Sequence, residues 1–212
     1  MARVRMTGAE RREQLLNIGR ALFAEKGVEG TSIEEIASRA SVSKPVVYEH
    51  FGGKEGLYAV VVDRELQVIM EMLYTSIGDA RSRSGELEHP RVLIEKAAHA
   101  LLDYIDSSAD GFRILVRDSP VAASTANFSG LLFDIAARVE NIFAEQFKAR
   151  GLDPKLAPLY GQALVGMVAL TGQWWLDSRK PGKDEVVAHL VNLAWNGLSN
   201  LEQKPRLRTR RK

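Results

Sequence analysis

Between residues 41 and 58 the chain reads SVSKPVVYEHFGGKEGLY. Ser43, Lys44, Tyr48, His50 and Lys54 bring a hydroxyl, two ammonium groups, a phenol and an imidazole into one short stretch. Two kinds of chemistry use such groups. A serine activated by a histidine is a nucleophile, provided the two side chains touch. Ammonium, phenol and imidazole donors can instead grip phosphate oxygens and base edges. The first reading fails on distance, because residues 43 and 50 lie about two helical turns, or ~10 Å, apart. GGKEG also lacks the spacing of a phosphate loop and follows a helix, where that loop follows a strand. His89, His99 and His189 are scattered, no H-E-x-x-H exists, and there is no cysteine. Thiolate metal sites, disulfides and cysteine nucleophiles are thereby excluded. No catalytic set, metal site or resident cofactor is expected.

The elements around this stretch explain its odd proline. Thr7-x-x-Glu10 is a capping box opening a helix to about Lys26, striped by Leu15, Leu16, Ile18, Leu22 and Phe23 and ended by Gly27. Thr31-x-x-Glu34 and Ser32-x-x-Glu35 overlap as two more boxes before a short helix with Ile33, Ile36 and Ala37 inward. Ser41-Val42-Ser43 breaks that helix. With Ser43 as N-cap, Pro45 falls in the first turn, where amides have no intrahelical acceptor and a fixed φ is an advantage. A third helix then runs from Lys44 to about Phe51, and Gly52-Gly53 stops it. Helix, short helix, three-residue turn, short helix is the layout of a helix-turn-helix module.

In that module Val47 and Phe51 face inward with Val42. Lys44 at the helix start reaches guanine O6/N7 or a phosphate, and Val46 meets a thymine methyl. Tyr48, His50 and Lys54 donate to phosphates, and Ser32 with its helix-start amides is a further phosphate site. The DNA face thus comprises Ser32, Ser43, Lys44, Pro45, Val46, Tyr48, His50 and Lys54. Glu34 and Glu49 are out of place on such a face. A glutamate can accept from cytosine N4, but pointing away is the simpler expectation.

From Lys54 the helices lengthen, with one stripe over 54–76, another from Pro90 carrying Val92 to Ile105, a short DGFRILVRD helix, and long helices over about 124–150, 158–179 and 184–201. No period-2 alternation persists, so the fold class is all-α: a three-helix helix-turn-helix head and a body of about six helices. The domains are residues 1–53 for DNA binding, 54–202 for effector binding and dimerisation, and 203–212 as a basic tail. Of 212 residues, 29 are basic and 27 acidic, but the last nine, KPRLRTRRK, hold six of the basic groups and no acid. Basic ends on a mildly acidic body suit a polyanion partner. The N-terminus carries no apolar signal segment, and the longest apolar run, 163–170, is far short of the ~20 residues of a membrane span. Neither a membrane nor export is expected.

TSIEEIASRASVSKPVVYEHFGGKEGLY, behind a helix holding Leu22-Phe23 and Gly27, resembles the TetR family of bacterial transcriptional regulators. The match covers roughly residues 10–60 and rests on Ile36-Ala37, Ala40, Val42-Ser43, Tyr48, His50-Phe51, Lys54 and Leu57. Two positions depart from the family pattern: Ser41 stands at a turn glycine, and Gly19 replaces an alanine at ~1 kcal/mol of helix propensity. The absence of cysteine fits a cytoplasmic protein, and the resemblance implies a homodimer with each third helix in a major groove of double-stranded DNA. Half-sites would lie about 34–36 Å apart on a pseudo-palindrome. It also implies a repressor released when the body binds a small-molecule effector, with the DGFRILVRD helix and the helix from Lys54 transmitting the change. The dimer is expected from the last two helices as a four-helix bundle, through Gly166, Ala169, Gly172, Val187, Leu190, Leu193, Ala194 and Gly197. The expected effector pocket is walled by Tyr104, Phe112, Phe128, Trp174 and Trp175, with Arg113, Arg117 and Asn127 at its polar ends. ALVGM…WWLDSRKP and AWNGL partially resemble a fatty-acid-responsive, acyl-CoA-sensing branch, so the effector is an apolar or acyl-type molecule. Two other readings remain: an architectural DNA binder dominated by its basic tail, and an all-helical enzyme.

Overall fold

The structure is a computed structural model and describes residues 6–78, 88–117, 128–203, 205 and 206. Every regular element among them is helical: α1 Gly8–Lys26, α2 Ile33–Arg39, α3 Lys44–Phe51, α4 Lys54–Ile77, α5 Pro90–Ser107, α6 Ala109–Val116, α7 Phe128–Ala149, α8 Ala157–Ser178 and α9 Lys183–Ser199. One 3₁₀ turn, Pro154–Leu156, precedes α8. The all-α expectation holds, down to three short or medium helices followed by six more. The chain divides into two compact units: Met1–Glu71 with Tyr104–Phe128, and Met72–Asp103 with Ser129–Lys212.

In the first unit α1 begins as its sequence dictates. Thr7 Oγ1 accepts from the Glu10 amide while Glu10 returns a bond to the Thr7 amide at 2.7 Å. Its apolar stripe is sealed, with Leu15 and Leu22 at 0% exposure, and Phe23 meets Tyr58 edge-on at 5.2 Å. Gly19 proves to be more than a propensity cost. A Cβ there would lie 2.7 Å from Leu57 Cδ2, so the glycine lets α4 lie close on α1. Ser41 adopts φ 53, the left-handed turn that its position demands of a non-glycine residue. Gly52, also left-handed, closes α3 through its amide to Tyr48 O.

A polar knot ties α1, α4, α5 and α6 together. Glu65 on α4 is 6% exposed and accepts from Arg20 Nε on α1 at 2.6 Å, Tyr104 OH on α5 at 2.6 Å and Ser108 Oγ at 3.0 Å. Ser108 Oγ in turn accepts from the Arg20 guanidinium at 2.5 Å. A Cβ on Gly111 would sit 1.8 Å from Glu65 Oε2, so only glycine leaves room for the carboxylate beside α6. Arg117, just past α6, donates to Phe23 O near the end of α1 at 3.0 Å. The DGFRILVRD helix therefore packs on the helix-turn-helix head, as the family resemblance implies.

In the second unit Phe143, Phe147 and Ala157 form a buried cluster joined by Val139, Tyr160, Leu164 and Leu198. Phe147 stacks with Phe143 at 5.6 Å and edge-on with Tyr160 at 5.3 Å. Lys183 Nζ at the start of α9 reaches Asp103 Oδ1 on α5 at 2.5 Å.

Candidate nucleic-acid interface and ligand cavity

The helix-turn-helix head holds its two short helices by different means. Ser32 caps α2, its hydroxyl accepting from the Glu35 amide at 3.2 Å. Thr31 is no cap: it is 2% exposed and donates to Gly27 O at 2.7 Å. Ser43 has the extended backbone of an N-cap, but its side chain makes no capping bond. The reason is Pro45. A capping hydroxyl bonds the second or third amide of the helix; Pro45 has no amide proton, and the Val46 amide bonds Ser43 O at 3.1 Å. Ser43 is the N-cap as expected, through its backbone alone, and its exposed side chain is available to a partner.

Val47 anchors α3 at 0% exposure, and the guanidinium of Arg12 lies 4.4 Å from the centre of the Phe51 ring. Opposite this anchor Ser43, Lys44, Pro45 and Tyr48 are exposed and Val46 and His50 half-buried, with Tyr48 at 54%. Lys44 and Tyr48 are four apart and share a face. Ser32 is exposed as well. Lys54 differs from expectation. Its ammonium donates to Val28 O at 3.0 Å and Thr31 O at 3.3 Å, so it closes the turn between α1 and α2 whatever it does for DNA. Glu34 also departs from expectation. It does not point away but pairs directly with Lys44 Nζ, both side chains more than half exposed. The hydrogen bond from Lys44, with its positive charge, holds the Glu34 carboxyl below its ordinary 4.5.

The expected effector pocket does not form as a set. Tyr104 is fully buried with its hydroxyl on Glu65; burial first, and then the carboxylate, pushes the phenol upward. Phe112, equally buried, lies edge-on to Tyr104 at 6.3 Å. Arg113 is near Asp110 at 3.5 Å and Arg117 serves α1. Trp175 is 3% exposed with its indole N–H on Pro181 O at 2.9 Å, whereas its neighbour Trp174 is 55% exposed. Asn127 and the Phe128 side chain lie outside the described residues. A phenol, indole or guanidinium that already has a buried partner is committed to structure, and residue type alone does not disclose the partner.

A cavity does exist in the second unit, built by other residues. A partly open space of about 360 Å³ lies among Ile77, Leu93, Ile94, Ala97, Val139, Ile142, Phe143, Phe147, Leu164, Trp195 and Leu198, with His89, Gln146, Arg150 and Ser199 as its polar members. The His89 ring lies tilted against Trp195 at 4.7 Å, and Arg150 donates to Leu198 O and Ser199 O at 3.0 and 2.6 Å. Most of the wall comes from small-to-medium aliphatics at helical spacing. That pattern reads as ordinary core, so nothing in residue type or spacing signals a cavity.

The expected dimer stripe splits in two. Ala169, Gly172, Val187, Leu190 and Ala194 are buried within the chain itself. Leu193 is 65% exposed, Gly197 is exposed, and a Cβ on Gly166 would meet nothing within 4 Å. With Leu159 at 63%, Leu170 at 68% and Trp174 at 55%, these form an open apolar face on α8 and α9.

Among the described residues no group of three metal-ligating side chains exists, and no helix is long and apolar enough to cross a membrane. Residues 15–61 match the family model "Bacterial regulatory proteins, tetR family", and residues 86–209 match "Tetracyclin repressor-like, C-terminal domain". The HTH-type transcriptional activator FasR of Mycolicibacterium smegmatis is 29% identical over 207 residues, covering 93% of this chain and 87% of that protein. A TetR-like transcriptional regulator from Rhodococcus sp. RHA1 superposes with a TM-score of 0.72 at 24% identity, over 93% of this chain and 100% of its own. AibR, solved in complex with isovaleryl coenzyme A and operator DNA, has the same fold at a TM-score of 0.66 and 18% identity, over 87% and 97% of the two chains. With the exposed face of α3 and two family models spanning most of the sequence, the chain belongs to the TetR family of DNA-binding bacterial transcriptional regulators.

Proposed function

We propose that the chain acts in the cytoplasm as a homodimeric repressor, released from a pseudo-palindromic operator when its cavity takes an apolar, acyl-type effector. It works by binding and not by turnover. The observation that carries this reading is the cavity of about 360 Å³ with a nearly unbroken aliphatic and aromatic wall. At ~30 Å³ per non-hydrogen atom, water's share of its liquid, there is room for about a dozen. A medium acyl chain fits that space, and the few polar members suit one carbonyl or carboxyl end. AibR, of the same fold, is described with an acyl-coenzyme A and DNA together, which supports an acyl group as first probe. The homodimer is supported by the open stripe of Leu159, Gly166, Leu170 and Trp174, since large exposed apolar patches mark interfaces.

The test is a mobility-shift titration on a selected operator, with acyl-coenzyme A thioesters from two to eighteen carbons added in turn. Release should peak at a middle chain length. A thermal shift of roughly 5–10 °C at a hundred times the dissociation constant should accompany it. Indifference of both DNA binding and melting to every chain length rejects the acyl reading. Tighter DNA binding with ligand would reject the repressor reading alone.

A further inference from the structure

The paired Lys44 and Glu34 carry more information than either residue alone. A carboxylate on a surface that meets phosphate is an electrostatic cost to all DNA binding. Here it is no stray charge, because it sits in direct contact with the ammonium at the start of α3. Lys44 shares its face with exposed Tyr48, so the pair projects with the side chains that meet the duplex. Neither group is sheltered: the side chains are 54% and 62% exposed, and the pair holds no part of the core. An exposed ion pair adds little to stability, and the place of Glu34 in the first turn of α2 favours a carboxylate there without calling for contact with Lys44.

We propose that Lys44 and Glu34 act as one reader of a single G·C base pair, Lys44 donating to guanine and Glu34 accepting from the cytosine opposite. The proposal rests on the DNA-binding reading of the head. An ammonium has three N–H donors. One is spent on Glu34 and two remain, matching guanine O6 and N7. The next group across the major groove is the cytosine N4 amine, a donor that meets the second carboxylate oxygen. Guanine O6 and cytosine N4 are themselves hydrogen-bonded, so their separation equals that of an ammonium and a carboxylate in contact. An A·T pair presents acceptor, donor, acceptor in place of acceptor, acceptor, donor, and leaves one ammonium N–H unpaired. On unrelated DNA the internally neutral pair releases almost no counterions, so Glu34 withholds the phosphate attraction that Lys44 would otherwise give to every sequence. The pair trades general affinity for discrimination.

The test begins with selection of bound duplexes from a random pool by the full-length protein. Each half-site of the selected motif should hold one invariant G·C pair. Selection with Glu34→Ala should relax that position alone and leave the rest of the motif. The variant should also bind unrelated duplex more tightly, with a salt slope steeper by about one unit per head. On the unaltered protein, N4-methylcytosine at the invariant position should weaken binding roughly tenfold, because the methyl group replaces the proton that Glu34 accepts. Glu34→Ala should be indifferent to that methyl. A motif without an invariant G·C pair, an unaltered motif with Glu34→Ala, or full affinity for the methylated operator overturns the inference. If the unaltered protein selects no motif at all, the DNA-binding reading fails first.

Discussion

At the scale of single residues, two serines in equivalent positions have different work. Ser32 caps α2 through its hydroxyl and Ser43 caps α3 only through its backbone, because Pro45 removes one amide that a hydroxyl could bond. Ser32→Ala should therefore cost about 1 kcal/mol in urea unfolding, the usual value of a lost cap. Ser43→Ala should change stability by only a few tenths, as befits a surface substitution away from such features. Equal costs would mean that Ser43 does cap in solution. Lys54 divides its role. Its ammonium holds two backbone carbonyls between α1 and α2, so Lys54→Ala should lower stability by about 1.5–3 kcal/mol. It should also weaken DNA binding on every sequence alike. Glu10 gives a pH signature. Its capping bonds to Thr7 hold its carboxyl below 4.5 in the folded chain, so the contribution is present above that value and is lost as pH falls through the lowered one. Glu10→Gln should flatten the stability profile in that acid range. The spacing of Val47 and Phe51 made the exposed face of α3 legible from sequence, but the Lys54 carbonyls and the Glu34 partner were not, since both are contacts made across a turn.

Helices show where periodicity informs and where it misleads. The Thr7–Glu10 box, the Ser32 cap and Gly52 set the head's boundaries from sequence because each satisfies orphan amides or carbonyls within four residues. The stripe of Gly166, Ala169 and Gly172 failed for a geometric reason. At ~100° per residue, steps of three drift by about 60° each, so the first and last lie about 120° apart on the helix. Gly166 consequently faces open space while Ala169 and Gly172 are buried. Exposed Leu159, Leu170 and Trp174, with Gly166 between them, follow steps of seven, four and four and keep to one side. The knot at Glu65 was equally hidden, since its four members come from four separate segments. Removing the carboxylate takes the charged acceptor from the Tyr104 hydroxyl and from part of Arg20. Glu65→Ala should cost about 2–3 kcal/mol, less than a sealed pair because Arg20 keeps 31% exposure. A chemical-denaturation midpoint unmoved by this substitution would mean that the knot is broken in solution.

For the whole molecule, composition and helix count announced the architecture, while the cavity stayed silent because an empty apolar space is lined by the same residues as a filled one. Its function can be separated from folding by filling it. Ala97→Phe places a ring where a dozen ligand atoms would sit, so it should abolish the response to acyl compounds and leave operator affinity within a few-fold. The open α8–α9 face makes the sharper prediction, because it bears on how two heads reach one operator. Leu170 and Leu193 are 68% and 65% exposed in the single chain, so replacing them should not disturb its core. Leu170→Asp with Leu193→Asp would place like charges against each other across a two-fold axis. The double variant should sediment as a monomer with an unchanged thermal midpoint at high dilution. A monomer engages one half-site, and the loss of the second, tethered contact should weaken operator binding by roughly 10²–10⁴-fold. Affinity for an isolated half-site should be unaffected. If the variant remains a dimer, the second copy meets this chain elsewhere; if it is monomeric yet binds the full operator undiminished, the two half-sites are not read together.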